Sequence, residues 1–492
     1  MATQNTDTDI ELYITRDVPS YIIEVFVPDD RKYSLTEDRM SLTSIRRQFD
    51  KEQGISRIGD VTLLLKNDAN RYSITDASSI FYGKQHIGAW VRVIAGWGPR
   101  WANSPAVQFQ GRIKSLKDTS NWTATMIIYD ALKDFQDAAV GSGNTNVLDA
   151  DNNAILQISE TQVPGMNPID ILEYLVDTTF GIKWFNMDTL LEESALDATS
   201  MAAAKVATEG TRLGSTIWPD GSKLLDMVTD MMKMIGGYVY TGKDGKINVN
   251  VFAPSQTSDA DRSLYNFIGD VTVKEPEIIL SQRDSDKDSV VNQVSWKYGQ
   301  AQTEYGSERD ETSIEKYGLK NLNLTTKWEL HNSDTLILDI ATSRLLSRWA
   351  EPMAEYDAAI SWLRNGDGLA LDLGNFVSIT DPALAVNNEV VETHRMEVNL
   401  ETQVTKAVLY DASALQGKFW FFSSEVDEGD GLGITANNFA VNWLERFLFF
   451  SNNDTDNKPA HDPSGNNNGT MEATIPPIDD WGNGIEENFI WW

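Results

Sequence analysis

The sequence predicts a mainly β fold with an α+β insertion: two related β-barrel domains, a mixed middle domain and an irregular C-terminal extension. Three observations carry that expectation. Short runs of β-branched and aromatic residues fill an early and a late region, the apolar period lengthens to that of a helix only between them, and the two strand-rich regions echo one another. The expected boundaries are 1–140 for the first barrel, 141–272 for the middle domain, 273–414 for the second barrel with one helix, and 415–492 for an acidic, aromatic-containing extension. A chain of 492 residues is long enough for about three cores.

The first region reads as strands at Ser20 to Pro28, Asp60 to Lys66, Ala89 to Ala95 and Val107 to Ile113, separated by turn-forming clusters. In the middle region Asn167 caps and Pro168 opens a helix that places Ile171, Leu172, Leu175 and Val176 on one face. A second helix follows Ser222, with Leu224, Leu225, Val228, Met231, Met232 and Ile235 at helical spacing and Gly236-Gly237 as its stop. The methionines there read as core. A hairpin comes next, Tyr238 to Thr241 turning at Lys243-Asp244-Gly245 into Ile247, Val249 and Val251. Strands return from Glu275, with a helix near Asp334 to Ala350 closed by Glu351-Pro352. Beyond Gly417, aromatic patches alternate with polar stretches, Ser451 to Gly469 reads as a linker, and Phe489 to Trp492 is apolar enough to dock on this chain or a neighbour.

The echo is the most informative feature. Ile87-Gly88-Ala89-Trp90-Val91-Arg92-Val93-Ile94 matches Leu373-Gly374-Asn375-Phe376-Val377-Ser378-Ile379-Thr380, and Ile128-Tyr129-Asp130-Ala131 matches Leu409-Tyr410-Asp411-Ala412. The offsets are 286 and 281, so a loop within Gly96 to Pro105 is expected to absorb the five-residue difference. Two copies of one module in each of three chains make six similar units, which presents near-sixfold symmetry from a threefold oligomer.

In arrangement the sequence resembles the tail hub proteins of tailed bacteriophages. The resemblance rests on Ile87 to Trp97, Phe109-Gln110-Gly111-Arg112-Ile113, the strand Trp122 to Asp130 running into Ala131-Leu132-Lys133-Asp134-Phe135, the helix-hairpin Leu224 to Val251, and Asp372 to Ile379. It covers most of residues 9–413 and leaves 415–492 unmatched. It implies a structural, non-enzymatic virion protein of the tail tip or baseplate. Such a protein is a homotrimeric ring that adapts a hexameric tail tube to a threefold tip and lets DNA pass. Its implied partners are a tail tube or distal tail protein, and tip or fibre proteins that residues 415–492 would reach.

Charge fits a passage that does not grip nucleic acid. The net charge is −32, and it is uneven: residues 1–140 carry 17 basic and 18 acidic side chains, 141–272 carry 8 and 18, 273–414 carry 13 and 24, and 415–492 carry 3 and 13. Tight binding to phosphate needs clustered Lys and Arg, and a wall of carboxylates repels the backbone instead.

Catalytic signals are sparse. The chain has no Cys, so thiol chemistry and disulfides are excluded, and no window is apolar enough for a membrane span. His86, His331, His394 and His461 are far apart without metal-ligand spacing, and no phosphate loop, nucleophile elbow or dinucleotide fingerprint occurs. One weak calcium candidate remains. Asp149, Asp151, Asn153 and Glu160 have the spacing of an EF-hand loop, but Ala154 stands where the turn needs Gly and Pro164 interrupts the exit helix, so neither metal nor cofactor is expected. The competing readings are a receptor- or glycan-binding tip protein using the aromatic C-terminus, and a cell-wall hydrolase.

Overall fold

A computed structural model of the chain describes residues 20–27, 32–49, 58–97, 103–119, 122–141, 147–148, 151–159, 161–251, 265–268, 278–285, 290–333, 335–361, 369, 371–381 and 384–411. All lie in one unit, Met1–Trp420. The aromatic patches, the linker and the apolar end expected in 415–492 fall outside the described residues.

The chain is mainly β with a helical insertion. The first sheet is built from β1 (Ser20–Phe26), β2 (Lys32–Ser34), β3 (Arg39–Leu42), β5 (Asp60–Lys66), β6 (Trp90–Trp97), β7 (Asn103–Thr119) and β8 (Thr123–Tyr129), while the short β4 (Ile45–Gln48) leaves it. Its order is β2-β1-β6-β7-β8-β5-β3, antiparallel throughout. Alternation in sequence becomes alternation in burial: Val61, Leu63 and Leu65 point inward from β5, as do Ala124, Met126 and Ile128 from β8.

Helix α1 (Leu132–Asp137) leads into the middle region, where β9 (Val147–Leu148), β10 (Ala154–Ile158), α2 (Pro168–Glu173), β11 (Lys183–Asn186), β12 (Leu191–Ser194), α3 (Ala198–Ala207), β13 (Thr216–Pro219), α4 (Leu224–Ile235), β14 (Gly237–Thr241) and β15 (Ile247–Val251) follow. The expected caps are present. The Asn167 side chain accepts from the Ile169 amide at 2.8 Å, and Gly236 ends α4 with φ 61°, a left-handed conformation that costs glycine nothing. The one feature of α2 that periodicity did not foresee is its continuation as a π-helical turn over Tyr174–Thr179.

The second sheet uses β16 (Tyr265–Ile268), β17 (Ile278–Ser285), β21 (Ala354–Ser361), β22 (Phe376–Asp381), β23 (Val386–Asn399) and β24 (Val404–Asp411) in the order β16-β22-β23-β24-β21-β17, with β4 added to β23. Between β17 and β21 the chain makes β18 (Gln293–Tyr298), β19 (Thr303–Arg309), α5 (Glu311–Tyr317), β20 (Asn321–Thr325) and α6 (Leu336–Trp349). Thus α6 lies where a helix was expected, but α5 joins it. Asp310 caps α5 by accepting from the Ser313 amide at 2.9 Å, a signal the single-turn apolar pattern hid.

Two apolar clusters hold these parts. One joins the inner faces of both sheets, with Val91, Val93, Phe109 and Ile113 of the first and Tyr356, Ile360, Val377, Ile379 and Val398 of the second. The other joins the middle region to α6 and β18: Met227, Val228, Met231 and Met232 of α4 are fully buried alongside Ile337, Leu338 and Ala341. Each of the larger ones (Val, Leu, Ile, Met) contributes about 1.5–3 kcal/mol when taken from water. Two tryptophans in this second cluster keep their N–H groups bonded, Trp296 to the Thr342 hydroxyl at 2.8 Å and Trp328 to the Met227 carbonyl at 3.0 Å, whereas the buried Trp218 indole N–H has no such bond among the described residues.

Candidate functional site

The echo in sequence is an echo in hydrogen bonding. In both sheets four consecutive strands are arranged alike, β6-β7-β8-β5 and β22-β23-β24-β21, and the fourth is the one that precedes the other three in the chain. A further strand pairs antiparallel on the same outer side, β3 on β5 and β17 on β21. The two ladders part at the opposite end, where β1 runs antiparallel to β6 but β16 runs parallel to β22.

The irregularities match too. Gly88 (φ 82°) and Gly374 (φ 71°) each open the module with a turn: the amide after the glycine donates three residues back, Ala89 to His86 at 3.2 Å and Asn375 to Asp372 at 3.3 Å. Each glycine amide then donates to the long strand, Gly88 to the Ile113 carbonyl at 2.8 Å and Gly374 to the Thr393 carbonyl at 2.9 Å. The register slips after Val93 and after Ile379, and again between Ile113 and Ser115 and between Thr393 and Arg395. Trp122 (φ 57°) and Gln403 (φ 60°) occupy the same left-handed place before the last strand. Bulges re-aim a strand and are not interchangeable between positions, so their coincidence is stronger than a likeness of residue type. Register also refines the offsets: Gly88 to Gly374 is 286, Arg112 to Glu392 is 280 and Tyr129 to Tyr410 is 281. The β6–β7 connection therefore sheds six residues and the β7–β8 turn regains one.

The modules are tied by β4, which runs antiparallel to β23 with Arg47 opposite Met396 and Ile45 opposite Val398. Beside this crossing Arg47 is buried and donates to Asp372 Oδ1 at 2.7 Å and to the Gln108 carbonyl at 2.8 Å. Asp372 Oδ2 accepts from the Lys243 amide at 3.0 Å, and Lys243 Nζ donates to the Leu369 carbonyl. Burial pulls the Lys243 ammonium down to about 7, against the pull of Asp372. Asp130 accepts from the Gly59 amide at 2.6 Å and the Leu132 amide at 3.1 Å, and burial pushes its carboxyl up to about 7.

Behind β23, Glu392 and Arg348 form an ion pair in which each side chain is 1% exposed. Tyr238 donates to the other Glu392 oxygen at 2.9 Å, and His394 Nε2 lies 3.0 Å from Glu392 and 2.7 Å from Arg348. Burial lowers the Arg348 guanidinium to about 10. These bonds join β23, α6 and β14, so the group braces the three elements against one another.

Of the calcium candidates, Asp151 and Asn153 are exposed at the turn entering β10, and Asp149 and Glu160 lie outside the described residues. The strand Ala154–Ile158 follows directly, paired to β13. Among the described residues no three His, Asp or Glu side chains gather as metal ligands, and no helix is long and apolar enough to cross a membrane. His86 and His331 are outside any cluster of that kind, and His461 is outside the described residues. The bulges and β4 crossing are the features sequence reading missed; bulges that both modules share leave the offset between them unchanged.

No protein-family model matches the chain, and no curated protein matches it. Among solved structures it is similar to a tail protein from Neisseria meningitidis MC58, with TM-score 0.47 and 12% identity over 80% of this chain and 98% of that one. It is also similar to the 43 kDa tail protein of prophage MuSo2 from Shewanella oneidensis, with TM-score 0.45 and 13% identity over 80% and 99%. A third is the prophage tail protein gp18 from Listeria monocytogenes EGD-e, with TM-score 0.42 and 11% identity over 80% and 94%.

Proposed function

We propose that this chain is a structural, non-enzymatic hub subunit of a phage-type tail tip or baseplate. Three copies form a ring in which six similar modules meet a sixfold tail tube, while the threefold chain symmetry meets the tip. The observation that carries this reading is the duplicated ladder, matched in strand order, glycine turns and bulges. A duplication that preserves backbone geometry while side chains diverge serves contacts that repeat around an axis. The β4 crossing sets one module directly against the next, as neighbours in a ring must be. The sequence resemblance to tail hubs supplies the setting: a virion, a tube or distal tail protein above, tip or fibre proteins reached through residues 415–492, and DNA passing along an acidic wall.

Light scattering on the purified chain at micromolar concentration tests the ring. The expected mass is three times the 55.0 kDa of one chain. A strict monomer contradicts it. Cell-wall gels showing clearing that vanishes on replacement of one carboxylate would contradict the non-enzymatic reading.

A further inference from the structure

The duplicated ladder has one edge filled and, among the described residues, the equivalent edge open. On β23 the stretch beyond the bulge carries β4: the Phe49 amide donates to the His394 carbonyl at 3.0 Å, and Met396 and Val398 face Arg47 and Ile45. Both Met396 and Val398 are buried, and Arg46 pairs with Glu397 at 3.2 Å. By the ladder register the same places on β7 are Leu116, Lys117 and Asp118, opposite Met126, Thr125 and Ala124 of β8. There β6 has already ended its pairing at Arg112, and among the described residues no strand lies on the outer side. Leu116 is only half-buried, and Lys114, Lys117 and Asp118 are exposed.

We infer that this edge of β7 receives a strand from a second copy of the chain, repeating between chains the addition that β4 makes within one; the inference rests on the ring proposed above. Alternation along an antiparallel strand turns the amides of Leu116 and Asp118 outward, as it does those of Met396 and Val398. Unpaired amides on such an edge can accept a strand, while the lysines on it oppose pairing with any strand that does not bring acidic side chains. Where the filled edge presents Glu397 to a basic strand, the open edge presents Lys117, which selects an acidic donor. In a ring, β4 links the first module to the second within a chain, so the donor comes from the second module of the neighbouring copy. That region is the acidic one, with 24 acidic against 13 basic side chains over residues 273–414. Trp122, 59% exposed at the end of the same edge, adds an aromatic anchor of the kind that interfaces bury.

Amide hydrogen exchange on the full chain, with light scattering on the same samples, tests this. The expected result is protection of the Leu116 and Asp118 amides in the trimer, lost on dilution to monomer. Asp118→Pro, which removes an outward N–H, and Lys117→Glu, which reverses the selecting charge, should each weaken association about tenfold or more while the melting temperature of the monomer holds. A trimer whose two amides exchange at unprotected rates overturns the inference and leaves the ring standing. Protection that persists in the monomer also overturns it, because the chain's own segment then fills the edge. A chain that stays monomeric overturns the inference and the hub reading together.

Discussion

At the position after the glycine turn where the long strand meets its partner, the first module holds Arg112 and the second holds Glu392. Arg112 is half-buried, its guanidinium 4.5 Å from the Trp90 ring and donating to the Lys183 carbonyl at 3.0 Å. Glu392 is sealed in a pair with Arg348. The charge is inverted, yet the ladder around both positions is the same, down to the bulge that follows. Backbone features hold the shared geometry, while each side chain answers to what its sheet rests on: a hairpin of the middle region for β7, the helix α6 for β23.

The sharpest way to break that comparison is to remove both charges. Glu392→Ala strands a buried guanidinium and should cost about 3–5 kcal/mol in urea unfolding, whereas Arg112→Ala, at a side chain that is 36% exposed, should cost about 1 kcal/mol. Equal losses would mean the two positions are not in different environments.

A second contrast is pH, between two buried groups of opposite charge, Asp130 and Lys243. Because burial raises Asp130 to about 7, the folded chain keeps a proton that the unfolded chain loses above the ordinary carboxylate range. Stability from this group therefore falls as pH rises from about 4 to about 7. Lys243 has the opposite slope above that window: lowered to about 7, it binds fewer protons folded than unfolded, so its contribution recovers from about 7 to about 10. Asp130→Asn should flatten the decline measured by denaturant unfolding across the lower window. A decline unchanged in Asp130→Asn would assign it to other groups.

The smallest expected difference lies in the turns. A Cβ on Gly374 would meet the Tyr238 hydroxyl at 2.7 Å, while one on Gly88 would find only Gln85 Nε2 at 4.0 Å. Gly88→Ala should cost about 1 kcal/mol for its left-handed backbone alone, and Gly374→Ala about 2 kcal/mol because it also pushes on the tyrosine that holds Glu392. Melting temperatures that fall equally would show the second turn is no tighter than the first.

Much of this was legible because the relevant signals are local. Alternation gave β5 at its observed bounds, and the 3.6 period with Gly236 gave α4 and the β14–β15 hairpin. What stayed hidden depends on partners distant in sequence. Nothing in Ile45-Arg46-Arg47-Gln48 announces that it will pair with residues 395–398, and a bulge that occurs in both modules leaves their offset unchanged. Helix α3, with Met201 and Ala204 as its buried positions, lacks a strong apolar stripe and so escaped notice. In the candidate site, Glu392 looked like any of many carboxylates until α6 brought Arg348 to it.

A reconstruction of the assembled tail particle, resolved around this chain, tests the central claim most directly. The account predicts three copies about one axis, with the β6–β8 and β22–β24 modules alternating at equal radius in a sixfold arrangement. Modules at different radii, or not related by rotation about that axis, would contradict it.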